Sequence, residues 1–263
     1  MDGLTSIADC GLRISDCGLA SRASPLFKSQ RARANTLSQI TLIRIRAPMR
    51  YADGLELQRV HGAELEEQSL PEAKLIFLQH TPVFTLGRKT EENHLLCSEH
   101  DLSVRTGAEV VKTDRGGSVT YHGPGQLTAY LLLNLQTWKL GIHEHLDRLE
   151  AVAIRTIKEF GLSGFRVPKM TGVWVNSAPA GEAEKVCAIG VSARRWVTYH
   201  GLSLNVDLDL APFHEVVPCG LKGRGVTTMA DALGRSVDMS AVEEKLAAAF
   251  AQVYGATIEP GMP

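Results

Sequence analysis

Apolar and polar positions change character near residue 39. Over 40–46 they alternate with the period of a strand, and over 52–68 Leu55, Val60 and Leu65 are among the apolar positions of an amphipathic helix. Compact apolar runs at 74–78 and, past the break at Pro82, at 83–86 predict buried strands. Short strands are expected at 110–111 and 118–121 around a glycine pair, and a longer one at 126–135. The clearest helix covers 142–160. Its apolar positions Ile142, Leu146, Leu149, Ala153, Ile157 and Phe160 step by three and four, with Gly161 following as a stop. Strands at 172–175, 185–192 and 198–206 read as a second β region, and Asp238 caps a final helix running to about Tyr254. The pattern is that of an α+β domain with a β-rich centre. No linker-like stretch divides it.

Residues 1–38 carry neither period. Asp9-Cys-Gly-Leu12 recurs once as Asp16-Cys-Gly-Leu19, too little to build a repeat architecture. Cys10 and Cys17 are too far apart for a ligand pair, and no histidines follow nearby. A disordered extension is expected over 1–38, ahead of a catalytic domain over 39–258. Arg31 and Arg33 among Ser and Ala suit a transit peptide, but Asp2, Asp9 and Asp16 are unusual in an acid-poor presequence.

Composition narrows the class. Of 263 residues, 44% are apolar and 22% charged, as in an ordinary soluble globule. Lys and Arg (28) nearly balance Asp and Glu (29), which excludes a strongly basic nucleic-acid binder. Apolar runs such as 129–133 stop far short of the roughly 18 residues a spanning helix needs, so no membrane partner is expected. Five scattered cysteines make no disulfide framework, which fits a reducing, cytoplasmic compartment.

The densest chemical signal is Arg115-Gly-Gly-Ser-Val-Thr-Tyr-His-Gly-Pro-Gly-Gln126. Paired glycines let backbone approach a ligand where a Cβ would collide, and Arg115, Thr120, His122 and Gln126 offer donors around one concavity. The spacing is not that of a phosphate loop. His80 and Arg88 flank a second polar turn, as structural hydrogen-bonding groups or as part of a site. Lys185 begins the apolar strand Lys185-Val-Cys-Ala-Ile-Gly190, either desolvated there or extended to solvent. Cys187 within it reads as a small core residue. Cys219 lies in a Pro-Cys-Gly turn and is either a nucleophile beside free backbone N–H groups or a buried turn cysteine. His143-Glu-His145 has the wrong helical spacing for chelation and is expected to be a solvated first turn.

Taken in order, five motifs resemble the octanoyltransferase family of lipoate biosynthesis, the lipoyl(octanoyl) transferases. They are His80-Thr-Pro82 with Thr85-Leu-Gly-Arg88, the Arg115–Gln126 block, Lys185-Val-Cys-Ala-Ile-Gly190, His200-Gly-Leu-Ser-Leu-Asn205 and Pro218-Cys-Gly220. The resemblance covers 40–254 and leaves out the N-terminal tail. It implies a biotin/lipoate protein ligase-like mixed β-sheet domain with flanking helices around an acyl tunnel. It implies octanoyl (or lipoyl) transfer from octanoyl-acyl carrier protein to a lysine of lipoyl domains of 2-oxo acid dehydrogenase complexes or of the glycine cleavage H protein. Cys219 would carry the acyl thioester, while Lys185 would lower its pKa and accept a proton. Arg115, Gly116, Gly117, Ser118, Val119, Thr120, Tyr121, His122, Ala188, Ile189, Gly190, Gly201, Leu202 and Ser203 would line the substrate site. A thioester is already activated, so no cofactor or metal is expected, and the enzyme is expected to be a monomer. Seven buried carbons at about 0.8 kcal/mol each would supply roughly 5–6 kcal/mol of chain recognition. The alternatives are an ATP-dependent lipoate or biotin ligase, which needs a nucleotide and not Cys219, and a non-catalytic acyl-carrier-binding module.

Overall fold

Strand β1 (Gln39–Arg44) is followed by helix α1 (Tyr51–Glu66) and strands β2 (Glu72–Leu78) and β3 (Val83–Leu86). Helix α2 (Glu99–Thr106) precedes β4 (Glu109–Lys112), β5 (Val119–His122) and β6 (Gln126–Leu133). Helix α3 (Ile142–Lys158) leads to β7 (Phe165–Val167), β8 (Met170–Asn176), β9 (Ala183–Arg194) and β10 (Val197–Asn205). Helices α4 (Met229–Leu233) and α5 (Met239–Tyr254) and strand β11 (Thr257–Pro260) complete the chain. This computed structural model describes residues 38–176, 183–217 and 225–262, all within the compact unit Thr36–Pro263. The expectations for residues 1–37 and for Cys219 lie outside the described residues.

Eight strands form one mixed sheet in the order β11-β1-β2-β6-β10-β9-β8-β7, and β4-β3-β5 form a small second sheet. Strands β11, β1 and β2 run parallel, and the steps from β2 to β7 are antiparallel. The expected second β region over 172–206 is therefore corrected. Strands β8–β10 extend the main sheet by antiparallel pairing, and the separate sheet is built from the earlier strands β3–β5.

One face of the main sheet packs on α3 and α5, joining Leu75 and Phe77 to Leu149, Val152, Leu246 and Phe250. The other face meets α1 through Ile43, Leu65, Ile76, Leu78 and Leu132. Every residue of β6 is buried, because both its faces are covered, and this explains its apolar run without alternation. Phe84, Tyr121 and Phe213 belong to a third cluster under the small sheet.

The first turn of α3 departs from expectation. His143 and Glu144 are exposed, but His145 is buried, with Nδ1 3.1 Å from the Tyr254 hydroxyl. Helices α2 and α4 and strands β7 and β11 are short elements that the apolar pattern does not mark. Strand β11 carries the unit past the expected limit at 258.

Candidate functional site

The loop entering β5 crosses β9 at close range. The Gly116 N–H donates to the Val191 carbonyl at 3.0 Å, and a Cβ on Gly190 would meet the Gly116 oxygen at 2.8 Å. Glycine at 190 allows this crossing, and a Cβ on Gly116 would sit tightly against the Val191 carbonyl at 3.2 Å. Below it lies a narrow pocket with about 50 Å³ of free space. Arg115 to Thr120, His122, Lys185, Ala188, Ile189, Gly190, Gly201 and Ser203 line it.

Tyr121 and Leu202 do not, which corrects two expected lining residues. Successive side chains on a strand point to opposite faces, so both turn away from their pocket-lining neighbours. Tyr121 packs on Phe84 and Phe213, and Leu202 enters the main core.

The polar groups are committed to partners. Arg115 is buried, donates from Nε and Nη2 to Thr85 Oγ1 at 3.0 and 2.7 Å, and donates from Nη1 to the Gly116 carbonyl. His122 donates from Nδ1 to Gln126 Oε1 at 2.6 Å, and burial holds its pKa well below the ordinary histidine value. Gln126 itself donates to the Tyr121 carbonyl and to Asn205, so it braces the loop. His80 sits behind the pocket, donating to the Met49 carbonyl and accepting from Tyr130 at 2.6 Å, with burial lowering its pKa to about 4. Arg88 is exposed in a wider groove of about 660 Å³ at the pocket mouth, beside Lys89, His94 and Lys169.

Three lining residues carried no assigned role in the sequence: Tyr51, Tyr130 and His200. Only His200 had a signal, as the first residue of a quoted motif. Its backbone has φ +62°, and its Nε2 donates to Asp114 Oδ1 at 2.9 Å. That hydrogen bond lowers the Asp114 pKa to about 2.

Lys185 does not reach out to solvent. It is 7% exposed, its Nζ donates to the Thr171 carbonyl at 3.1 Å and lies 4.8 Å from the Trp174 ring centre. It lines both the pocket and the outer groove. Cys187 faces the core, where burial pushes its thiol up to about 12. The described chain on either side of Cys219 is anchored at this site. The Val217 N–H donates to the His94 carbonyl, and the Lys185 N–H donates to the Gly225 carbonyl. Among the described residues, no three His, Cys, Asp or Glu side chains are grouped to hold a metal ion.

Comparison with known proteins gives the family and the fold. Residues 50–251 match the model of the lipoyl protein ligase A/B catalytic domain. An octanoyltransferase of Bacteroides fragilis is 45% identical over 66% of this chain and 78% of its own length. That of Parabacteroides distasonis is 38% identical over 78% of this chain and 94% of its own. Among solved structures, a bi-partite lipoate protein ligase from Thermoplasma acidophilum shares the fold, with a TM-score of 0.67. It is 15% identical over 86% of this chain and 87% of its own. The chain thus belongs to the octanoyltransferase family, whose catalytic domain it shares with the lipoyl protein ligases.

Proposed function

We propose that this octanoyltransferase works through a thioester on Cys219, taking the octanoyl group from acyl carrier protein and delivering it to a lysine of a lipoyl domain. The Cys219 thiolate attacks the donor's thioester carbonyl, the bond to the carrier sulfur breaks, and the carrier leaves as a thiol after taking a proton from the Lys185 ammonium, which leaves the lysine neutral. The acceptor's neutral amine then attacks the new thioester. An amide forms, the Cys219 thiolate leaves, and neutral Lys185 takes the proton from the amine. Before acylation, the Lys185 ammonium favours the thiolate electrostatically.

The observation that carries this reading is the placement of Lys185. Its Nζ is held between pocket and groove, and its backbone is bonded to Gly225, where the described chain resumes after the Cys219 segment. The cysteine of that strand, Cys187, is buried with its thiol pushed up to about 12, which supports Cys219 over it as the reactive thiol. Arg88, Lys89 and Lys169 at the mouth suit the phosphate of a phosphopantetheine arm. Among the described residues no helix is long and apolar enough to cross a membrane. Acceptors in the 2-oxo acid dehydrogenase complexes or the glycine cleavage H protein, met in the cytoplasm, complete the proposal.

Intact-protein mass spectrometry after mixing with octanoyl-carrier protein, without ATP, tests it. Wild type should gain one octanoyl group, removable by hydroxylamine, and Cys219→Ala should gain none. An adduct that needs ATP, or one on Cys187, overturns the reading. Lys185→Met should raise the pH of half-maximal alkylation of Cys219 by about a unit or more, since a close cation lowers a thiol from about 8.5 to about 7.5 or below. Lys185→Arg should keep that pH low and still impair transfer, because guanidinium does not release its proton.

A further inference from the structure

Glu150 is a carboxylate on the inner face of α3, 7% exposed, where the neighbouring inward positions Leu149, Val152 and Ala153 are apolar. Burying a carboxylate is costly unless it is paired and hydrogen-bonded. Both its oxygens are engaged. Oε2 accepts from Arg166 Nε at 2.7 Å, and Oε1 accepts from the Gly172 N–H at 3.0 Å. Arg166 also donates from Nη2 to the Asp147 carbonyl, which ties β7 back to α3.

The Gly172 N–H and the Thr171 carbonyl belong to one peptide unit. That carbonyl accepts from Lys185 Nζ at 3.1 Å. Because a peptide unit is planar, fixing its N–H on Glu150 aims its carbonyl at the opposite side, where the ammonium sits. Gly172 has φ +125°, a conformation that other residues rarely adopt, and a Cβ there would meet the Cys187 carbonyl at 2.6 Å and Lys185 Cε at 3.3 Å. The peptide is thus held in an orientation that only glycine permits.

We propose that Glu150 is a positioning residue for Lys185, acting through the Thr171–Gly172 peptide. The carboxylate holds the peptide, and the peptide carbonyl holds Nζ at the border of pocket and groove. The inference rests on the reading of Lys185 as the group that activates Cys219.

The test compares Glu150→Leu, Glu150→Gln and Lys185→Met with wild type in three measurements: the pH of half-maximal Cys219 alkylation, kcat against KM, and Tm. Glu150→Leu deletes the acceptor. Its alkylation midpoint should rise by about a unit, with kcat down about tenfold and KM little changed. Glu150→Gln keeps an oxygen for the Gly172 N–H and should recover most of both. Where Lys185→Met shifts the midpoint, a folded Glu150→Leu enzyme with the wild-type midpoint and kcat overturns the proposal, whatever its Tm. If that variant fails to fold, Arg166→Met, altered at a half-exposed side chain that holds Glu150, should give an intermediate shift, and no shift there overturns it. A shift in Lys185→Met with none in the Glu150 variants overturns the role of Glu150 alone. If Lys185→Met also leaves the midpoint unchanged, the reading of Cys219 activation fails. The crystal structure of Glu150→Leu, or of Arg166→Met where that one fails to fold, then decides the positioning role. Nζ displaced from the Thr171 carbonyl supports it, and Nζ unmoved overturns it.

Discussion

His80 and His145 lie in the interior with their rings hydrogen-bonded, and loss of solvent lowers the pKa of each to about 4. Their acid behaviour follows from linkage. Above about pH 6.5 both are neutral in the folded and the unfolded chain. As the pH falls from about 6.5 toward 4, the unfolded chain takes up these protons first, so stability is lost through that window. Each group contributes about 3 kcal/mol to the loss, at about 1.4 kcal/mol per unit. His145 lines neither the pocket nor the groove and packs against Tyr254. His145→Leu should therefore flatten the fall of Tm between pH 6.5 and 4 by about half of this two-histidine share, while octanoyl transfer at neutral pH continues. Thermal melts across that range check it, and a slope equal to wild type would show that the ring is not neutral in the fold.

Helix α1 shows what an apolar period reads and what it misses. Its buried positions are Tyr51, Gly54, Gln58, Gly62 and Leu65, so of the three apolar residues that marked it only Leu65 is fully inside. Val60 is 52% exposed. The inner face is small and polar because of what it meets. A Cβ on Gly54 would press on the His80 ring and one on Gly62 on the Tyr199 ring, while Gln58 accepts from the His200 N–H at 2.6 Å. A helix that braces a site in this way spends its inner face on fit, and hydrophobic spacing alone does not find that face. Leu65→Ala should cost about 2–5 kcal/mol, as for other large-to-small core changes. Val60→Ala should stay within about 0.5 kcal/mol. Denaturant unfolding of the two variants checks the assignment of faces, and equal costs would contradict it.

At the scale of the whole molecule, β1 holds the parallel end of the sheet together, with β11 on one side and β2 on the other. Ile40, Leu42 and Ile43 are 0–3% exposed. Burying three such side chains is worth about 1.5–3 kcal/mol each, a sum close to the roughly 5–15 kcal/mol net stability of a domain. A chain beginning at Arg50 should therefore fail to fold, as seen by circular dichroism. One beginning at Ser38 should keep the wild-type Tm and transfer rate, since residues 1–37 carry no core pattern. Equal melting of all three chains would place the stability elsewhere. The sequence by itself determined most of the long elements, because the period of α3, the Asp238 cap of α5 and the apolar runs of the buried strands are local properties of the chain. It also determined the family, because the Arg115–Gln126 block and the motifs around Lys185 and His200 are contiguous runs of residues. Only the tertiary structure decided the strand order that joins β8–β10 to the main sheet, the turn of Tyr121 and Leu202 into the cores and away from the pocket, and the presence of Tyr51 and Tyr130 at the pocket. Glu150 reaching Lys185 through one peptide of β8 belongs with them. These depend on register and on contacts between distant segments, and a one-residue slip in register would send each side chain to the opposite face.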